Sequence, residues 1–199
     1  NGTVNEIGEP LTVNVPTSYR TGVEFLLGAY ITSWLKWDGN LTLSRNQIKD
    51  YTEYYTVYDE EWAEEPEQYK QHFKNTTIAY SPGVIANSLF SFRYKSFTAG
   101  LQSSFVGRQY FDNTENKDKS LDPYFVNNLR VGYGFKLKGL KSLSVDFIIN
   151  NLFDEEYESN GYGWSYYNRD SEGNMNLTNE RFYFPQAGIN FMTNLTLYF

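Results

Sequence analysis

Five sets of residues in this 199-residue chain have types that do chemistry. The largest lies within 152–187, where Tyr157, Tyr162, Trp164, Tyr166, Tyr167, Arg169 and Tyr183 gather. Aromatic faces and a guanidinium hold a ligand by stacking and charge, and the same residues equally suit a loop that packs on itself. The second is DEEWAEEPE, residues 59–67, with six carboxylates around Trp62. Such a run draws cations to a solvated surface, but its spacing does not repeat an oxygen-ligand metal loop. The third is His72, the one histidine in a chain without cysteine, which leaves a histidine metal site or a Ser-His-Asp arrangement unsupported. The fourth is the pair Glu155 and Glu156; adjacent residues point to opposite sides of an extended chain, so they form no glycosidase pair. Last are Gly132 and Gly134, which make no phosphate loop; on a strand they read as places of close backbone approach. The residues therefore point to recognition rather than catalysis. The candidate ligand contacts are Trp62, Tyr162, Trp164, Tyr166, Tyr167 and Arg169, with no catalytic residue, metal or cofactor expected.

Composition narrows the partner. The formal net charge is −7, which argues against nucleic acid, whose binding rests on Lys and Arg neutralising phosphates. Aromatic residues make up 19% of the chain, too many for a disordered segment. No run of about 20 apolar residues exists, so no membrane-spanning helix is expected. The start, NGTVNEIGEP, has neither the basic region nor the apolar core of a signal peptide and reads as a mature product or a fragment.

The elements that must carry these residues are strands. Apolar and polar positions alternate with period two, the signature of a strand with two unlike faces. At the C-terminus Ile189, Phe191, Leu195 and Leu197 oppose Asn190, Met192, Asn194 and Thr196. The same alternation places strands at about 18–30, 37–57, 84–94, 97–111, 124–136, 142–151 and 188–199, seven in all. Connections near 31–36, 95–96 and 137–141 are short, whereas 58–83, 112–123 and 152–187 are long and polar. Strict short–long alternation is the pattern of an up-and-down antiparallel array with tight turns at one end and long loops at the other.

One face of the array is polar. It carries Arg20, Glu24, Arg93, Arg108, Arg130 and Asp146, more charge than a packed soluble core accepts. Aromatics gather beside the short turns (Tyr30, Trp34, Trp37, Tyr94, Phe97, Phe135) and beside the long loops (Tyr51, Tyr55, Tyr58, Tyr110, Phe111, Tyr124, Phe125). Two aromatic girdles flanking an apolar band are expected of outer-membrane strands. Seven strands would leave two open edges in lipid, which the bilayer penalises. The array is therefore expected to be part of a larger barrel.

Three C-terminal runs carry a family resemblance. VNNLRVGYGF, then VDFIINNLFDEEYESNGY, then RFYFPQAGINFMTNLTLYF resembles the closing strands of TonB-dependent outer-membrane receptors, most closely those of Bacteroidota. The resemblance rests on Asn151, Leu152, Phe153, Asp154 and Tyr157, followed by Tyr183, Pro185, Ala187, Gly188, Asn190 and Phe191. It covers about 18–199 and implies an all-β transmembrane barrel of about 22 strands, of which residues 1–199 would be the C-terminal portion with about the last seven strands. The plug and earlier strands would lie outside this chain. The resemblance further implies a receptor that imports a scarce ligand, iron-siderophore-like or another nutrient, with energy from TonB. The ending looks more like siderophore receptors than SusC-like glycan importers. On this reading Arg20, Glu24, Arg93, Arg108, Arg130 and Asp146 face the plug or transport path. Phe191, Leu195, Leu197 and Phe199 form the signal read by the barrel-assembly machinery. Implied partners are the chain's own plug and remaining strands, TonB, lipid or lipopolysaccharide, and a surface lipoprotein.

Two other readings stand beside it. A soluble, aromatic-rich β-sandwich binding carbohydrate would keep its apolar faces together and stay monodisperse without detergent. A jelly-roll glycoside hydrolase would bring two carboxylates together in a cleft.

Overall fold

The computed structural model describes residues 15, 17–58, 67–139 and 141–199. Trp62 and most of the acidic run lie outside the described residues. The strands are β1 (Ser18–Tyr30), β2 (Leu35–Tyr58), β3 (Glu67–Thr77), β4 (Val84–Tyr94), β5 (Phe97–Val106), β6 (Gln109–Tyr110), β7 (Ser120–Leu121), β8 (Tyr124–Phe135), β9 (Ser142–Asn150), β10 (Glu158–Arg169), β11 (Met175–Pro185) and β12 (Asn190–Tyr198). A 3-10 turn at Lys117–Lys119 precedes β7. None of the described helices is long and apolar enough to cross a membrane.

Seven strands form the array read from the sequence, in the order β1-β2-β4-β5-β8-β9-β12, each antiparallel to its neighbours. The register keeps the two faces separate along its whole width. Phe25 pairs with Leu41, Leu41 with Ala86, Phe90 with Leu101, Leu101 with Leu129, Leu129 with Ile149 and Ile149 with Phe191 on the apolar face. Glu24 pairs with Thr42, Asn40 with Asn87, Gly100 with Arg130 and Gly132 with Asp146 on the other. A slip of one residue would put every charge on the apolar side, so patterning pins the register. The apolar face stays exposed, Phe25, Phe147 and Leu195 among it, and no described sheet packs over it. That arrangement is the opposite of a soluble sandwich.

The short connections are tight. Lys95, with φ of 53°, turns β4 into β5, and Gly139, with φ of 92°, turns β8 toward β9. Between β1 and β2 the Thr32 hydroxyl accepts from the Leu35 and Trp34 amides at 3.0 and 3.3 Å.

The other end differs from the expectation. The segments read as loops, 58–83 and 152–187, contain β3, β10 and β11. β2 has 24 residues, far more than the 9–11 a tilted strand needs to span a bilayer. Its second half pairs with β3 and projects beyond the array. β10 and β11 form a second hairpin that returns to β2 through a short parallel ladder, Tyr167 beside Val57 and Asn168 beside Tyr58. Neither hairpin shows simple apolar–polar alternation, because both of its faces carry aromatic and polar side chains. The predicted strand 97–111 also ends early: β5 stops at Val106, and Arg108 turns away to reach Ser120 and Asp122.

These hairpins and the 107–123 connection make a packed cap, and most of the buried side chains among the described residues are there. Ile48, Tyr51, Tyr55, Val57, Phe111 and Leu121 are buried. Burial passes from Ile48 to the odd positions Tyr51, Tyr55 and Val57 across the exposed pair Lys49–Asp50, opposite Asn75 with φ of 57°. Tyr51, Tyr55 and Phe111, expected in a lipid-facing girdle, are instead cap core. The phenols of Tyr51 and Tyr55 are pushed well above the usual tyrosine value, chiefly by burial and next by the Glu53 carboxylate.

The two C-terminal motifs meet at the foot of this cap. Asn151, buried with φ of 51°, donates from its amide to the Glu155 and Ala187 carbonyls at 2.9 and 3.2 Å and accepts from the Glu155 amide at 2.9 Å. Asp154 accepts from the Ile189 amide at 2.7 Å. A Cβ on Gly188 would lie 2.6 Å from that carboxylate and would push it from the Ile189 amide. Asn190 accepts from Asn150 at 2.9 Å. The spaced residues therefore tie the end of β9 to the start of β12 around the inserted hairpin.

Candidate functional site

The polar face of the array is one wall of the candidate site. Arg130 donates twice to Asp146, at 3.1 and 2.9 Å, across the β8–β9 pair. Gly132 beside them leaves the room this pair needs, since a Cβ there would lie 2.6 Å from both Asp146 Oδ1 and Thr98 Oγ1. Arg93, Gln102, Asn128 and Arg130 border a concavity of about 500 Å³ on this wall. Arg20 reaches the Ser81 hydroxyl at 3.1 Å, and Glu24 is exposed. Arg108 does not share this wall. It belongs to the cap, donating to Ser120 at 2.7 Å and pairing with Asp122 at 2.6 Å.

The β10–β11 hairpin belongs to the cap and has two unlike faces. Its docked face carries Gly161, Gly163, Ser165, Tyr167 and Arg169 opposite Tyr183, Arg181 and Asn179. The Phe111 ring occupies the space above the two glycines: a Cβ on Gly161 would lie 2.7 Å from Phe111 Cζ, and one on Gly163 3.2 Å from Cδ2. Tyr80 stacks on Phe111 at 6.2 Å and donates to the Gly161 carbonyl at 2.7 Å. Tyr183 meets the same ring at 5.6 Å and donates to the Ser120 carbonyl at 3.3 Å. Tyr167 sits edge-on between Tyr55 and Tyr69, at 5.4 and 5.2 Å, and Arg169 pairs with Glu67 at 2.5 Å. Beneath this, Lys119 is only 2% exposed and pairs with Asp112.

The opposite face of the hairpin is open. Tyr162, Trp164, Phe182 and Phe184 form a strip of four rings, with Tyr162 to Phe182 at 5.2 Å and 17°, and Trp164 to Phe182 at 5.5 Å and 21°. Trp164 is 49% and Phe184 51% exposed. Tyr166 continues the strip and donates to Glu180 at 3.2 Å. Of the candidates read from the sequence, the structure thus brings Tyr162, Trp164 and Tyr166 together and sends Tyr167 and Arg169 to the docked face. Phe182, Phe184 and Glu180 were missed. Their signal is the alternation Phe182–Tyr183–Phe184, masked because Tyr183 on the docked face is aromatic too.

Among the described residues no group of His, Asp and Glu could hold a metal. His72, expected in a loop, lies on β3 with Thr52 at 3.3 Å and Asp50 at 3.4 Å. Asp154 and Glu155 serve the motif contacts described above.

An antiparallel array, apolar on one face and charged on the other, with tight turns below and a packed cap above, defines the wall of a membrane β-barrel. The family model described as TonB dependent receptor-like, β-barrel, matches residues 1–152. The chain belongs to that family. No curated protein sequence matches it. Among solved structures it resembles the siderophore receptor PiuA from Acinetobacter baumannii, with a TM-score of 0.63 and 14% identity, over 91% of this chain and 22% of that one. It also resembles a double-substitution variant of the ferric enterobactin receptor PfeA from Pseudomonas aeruginosa, with a TM-score of 0.53 and 18% identity, over 94% of this chain and 23% of that one. At these identities the likeness is one of fold. The chain spans less than a quarter of the length of either receptor.

Proposed function

We propose that this chain is the C-terminal wall and outer cap of a receptor that imports a scarce ligand across the outer membrane. The observation that carries the reading is the pairing of an exposed apolar face with a charged face beneath an aromatic-faced hairpin. The apolar face suits lipid, and the polar face suits a plug and a transport path. The strip Tyr162–Trp164–Phe182–Phe184 would be the first surface an incoming ligand meets. Its rings suit a planar or aromatic ligand, in keeping with an iron-siderophore-like cargo. Remaining strands, to about 22 in all, would close the barrel. Residues 1–199 would then be its C-terminal portion, and TonB would act through a plug outside this chain. Phe191, Leu195 and Leu197 line the apolar side of the edge strand β12 and Phe199 follows it, where an assembly machine could read them. A Bacteroidota origin is carried by the C-terminal motifs alone.

The test uses the complete receptor in its own membrane. Outer-membrane fractions should contain a band that shifts on boiling. Cells should take up a labelled ferric siderophore in a TonB-dependent way. Trp164→Ala with Phe182→Ala should weaken ligand binding about tenfold or more, the scale of losing two stacked rings at a contact. A soluble protein without a heat-shifted band would overturn the reading.

A further inference from the structure

The apolar face holds a groove of about 720 Å³ between β1–β2 and β5–β8. Its walls are Phe25, Trp37, Phe105 and Phe125, and its floor is made of Gly39, Ser88 and Ser103. The Trp37 indole packs against Gly39, where a Cβ would come within 2.6 Å of the ring. The indole nitrogen donates to the Ser88 hydroxyl at 2.9 Å. Ser103 donates to Asn127 at 2.6 Å. Both hydroxyls thus have partners within the wall, and the groove offers carbon to whatever enters it. Arg45, exposed and of the same parity as Leu41 and Leu43, stands above the groove toward the cap. Lys49 is exposed four residues further up. The nearest acid in the adjoining hollow, Glu115, already accepts the Thr77 amide at 3.1 Å.

We propose that this groove seats one acyl chain of a phosphate-bearing lipid of the outer leaflet, with Arg45 holding the phosphate. The inference rests on the outer-membrane reading above. A flat strand wall meets lipid as a solvent, with no preference for one molecule. A walled furrow is different, because a chain laid in it gains contacts that a flat wall does not supply. Leaving bulk lipid for the furrow gains no hydrophobic term, since both surroundings are hydrocarbon. Selection therefore falls to shape and to the headgroup, and a cation one step above the apolar band selects an anion. A protein partner needs an area well beyond one furrow.

The complete receptor, extracted in mild detergent, is weighed by native mass spectrometry. Wild type should keep one phosphorus-containing lipid. Ala86 also lines the groove, paired with Leu41 on the apolar face, and Ala86→Phe, which fills it, should retain about fivefold less. Arg45→Glu should do the same, on the scale of one exposed ion pair, while Arg45→Lys should keep most of it. Equal retention in wild type and Ala86→Phe, or adducts of detergent alone, would overturn the proposal. Each variant is also run with and without boiling. A lost heat-shifted band points to a failed barrel, and an intact band without the lipid points to failure of this site alone.

Discussion

The Phe111 ring is the pin that holds the β10–β11 hairpin to the cap, and Phe111→Ala tests this. The ring is buried, fills the space over Gly161 and Gly163, and touches Tyr80 and Tyr183. Truncating a buried phenylalanine costs about 3–5 kcal/mol. The array below has its own ladders, so the loss should fall on the docking equilibrium of the hairpin. Taking about 3 kcal/mol, the undocked population rises roughly a hundredfold. Hydrogen exchange on the complete receptor reads this directly, because slow amides report local opening. Amides of β10, β11 and 107–123 should lose about two orders of magnitude of protection, while those of β4, β5, β8 and β9 keep theirs. Gly163→Val approaches the same joint from the other side, since its Cβ would lie 2.5 Å from the Glu180 carbonyl. Unchanged hairpin protection in Phe111→Ala, or an equal loss throughout the array, would refute the reasoning.

Lys119→Met should destabilise the cap by about 3–5 kcal/mol by stranding the Asp112 carboxylate, and Lys119→Met with Asp112→Asn should recover most of it in the same exchange measurement. The phenols of Tyr51 and Tyr55 have raised values, so the stability they contribute is present below pH 10 and is lost as pH rises above it, by up to about 1.4 kcal/mol per pH unit for each phenol. An alkaline absorbance titration of the receptor should show a late phase coinciding with loss of cap protection. Arg130 is 60% exposed although Asp146 is 13%, so a double-mutant cycle between them should give a coupling below about 1 kcal/mol.

The seven-strand array was legible because each of its strands meets two different solvents. Leu129, Val131, Tyr133 and Phe135 against Arg130, Gly132 and Gly134 report a face in each environment, and the structure keeps that register. The cap was not legible for the converse reason. In β10 the residues alternate between a face pressed on Phe111 and a face of stacked rings, and neither reads as polar. β3, with Gln68, Lys70, His72 and Lys74 among its residues, has too little apolar content to signal a strand and is held by its ladder with β2. Tyr51 and Tyr55 were visible as aromatics near a rim, but a residue's type does not tell a lipid girdle from a loop core. The C-terminal motifs were visible as a pattern, and only the contacts of Asn151 and Asp154 reveal that they form one joint.

The parallel ladder between β10 and β2 bears on the order of assembly. The Arg169–Glu67 contact beside it closes a separation of 102 residues, whereas β1–β2, β4–β5 and β8–β9 are joined by short turns. Closing so long a segment costs chain entropy before any contact repays it, so such pairings form late. The β1–β2, β4–β5 and β8–β9 hairpins can form from short turns, but the cap has to wait for β10 and β11 to emerge. On that order the cap closes over hairpins that are already paired.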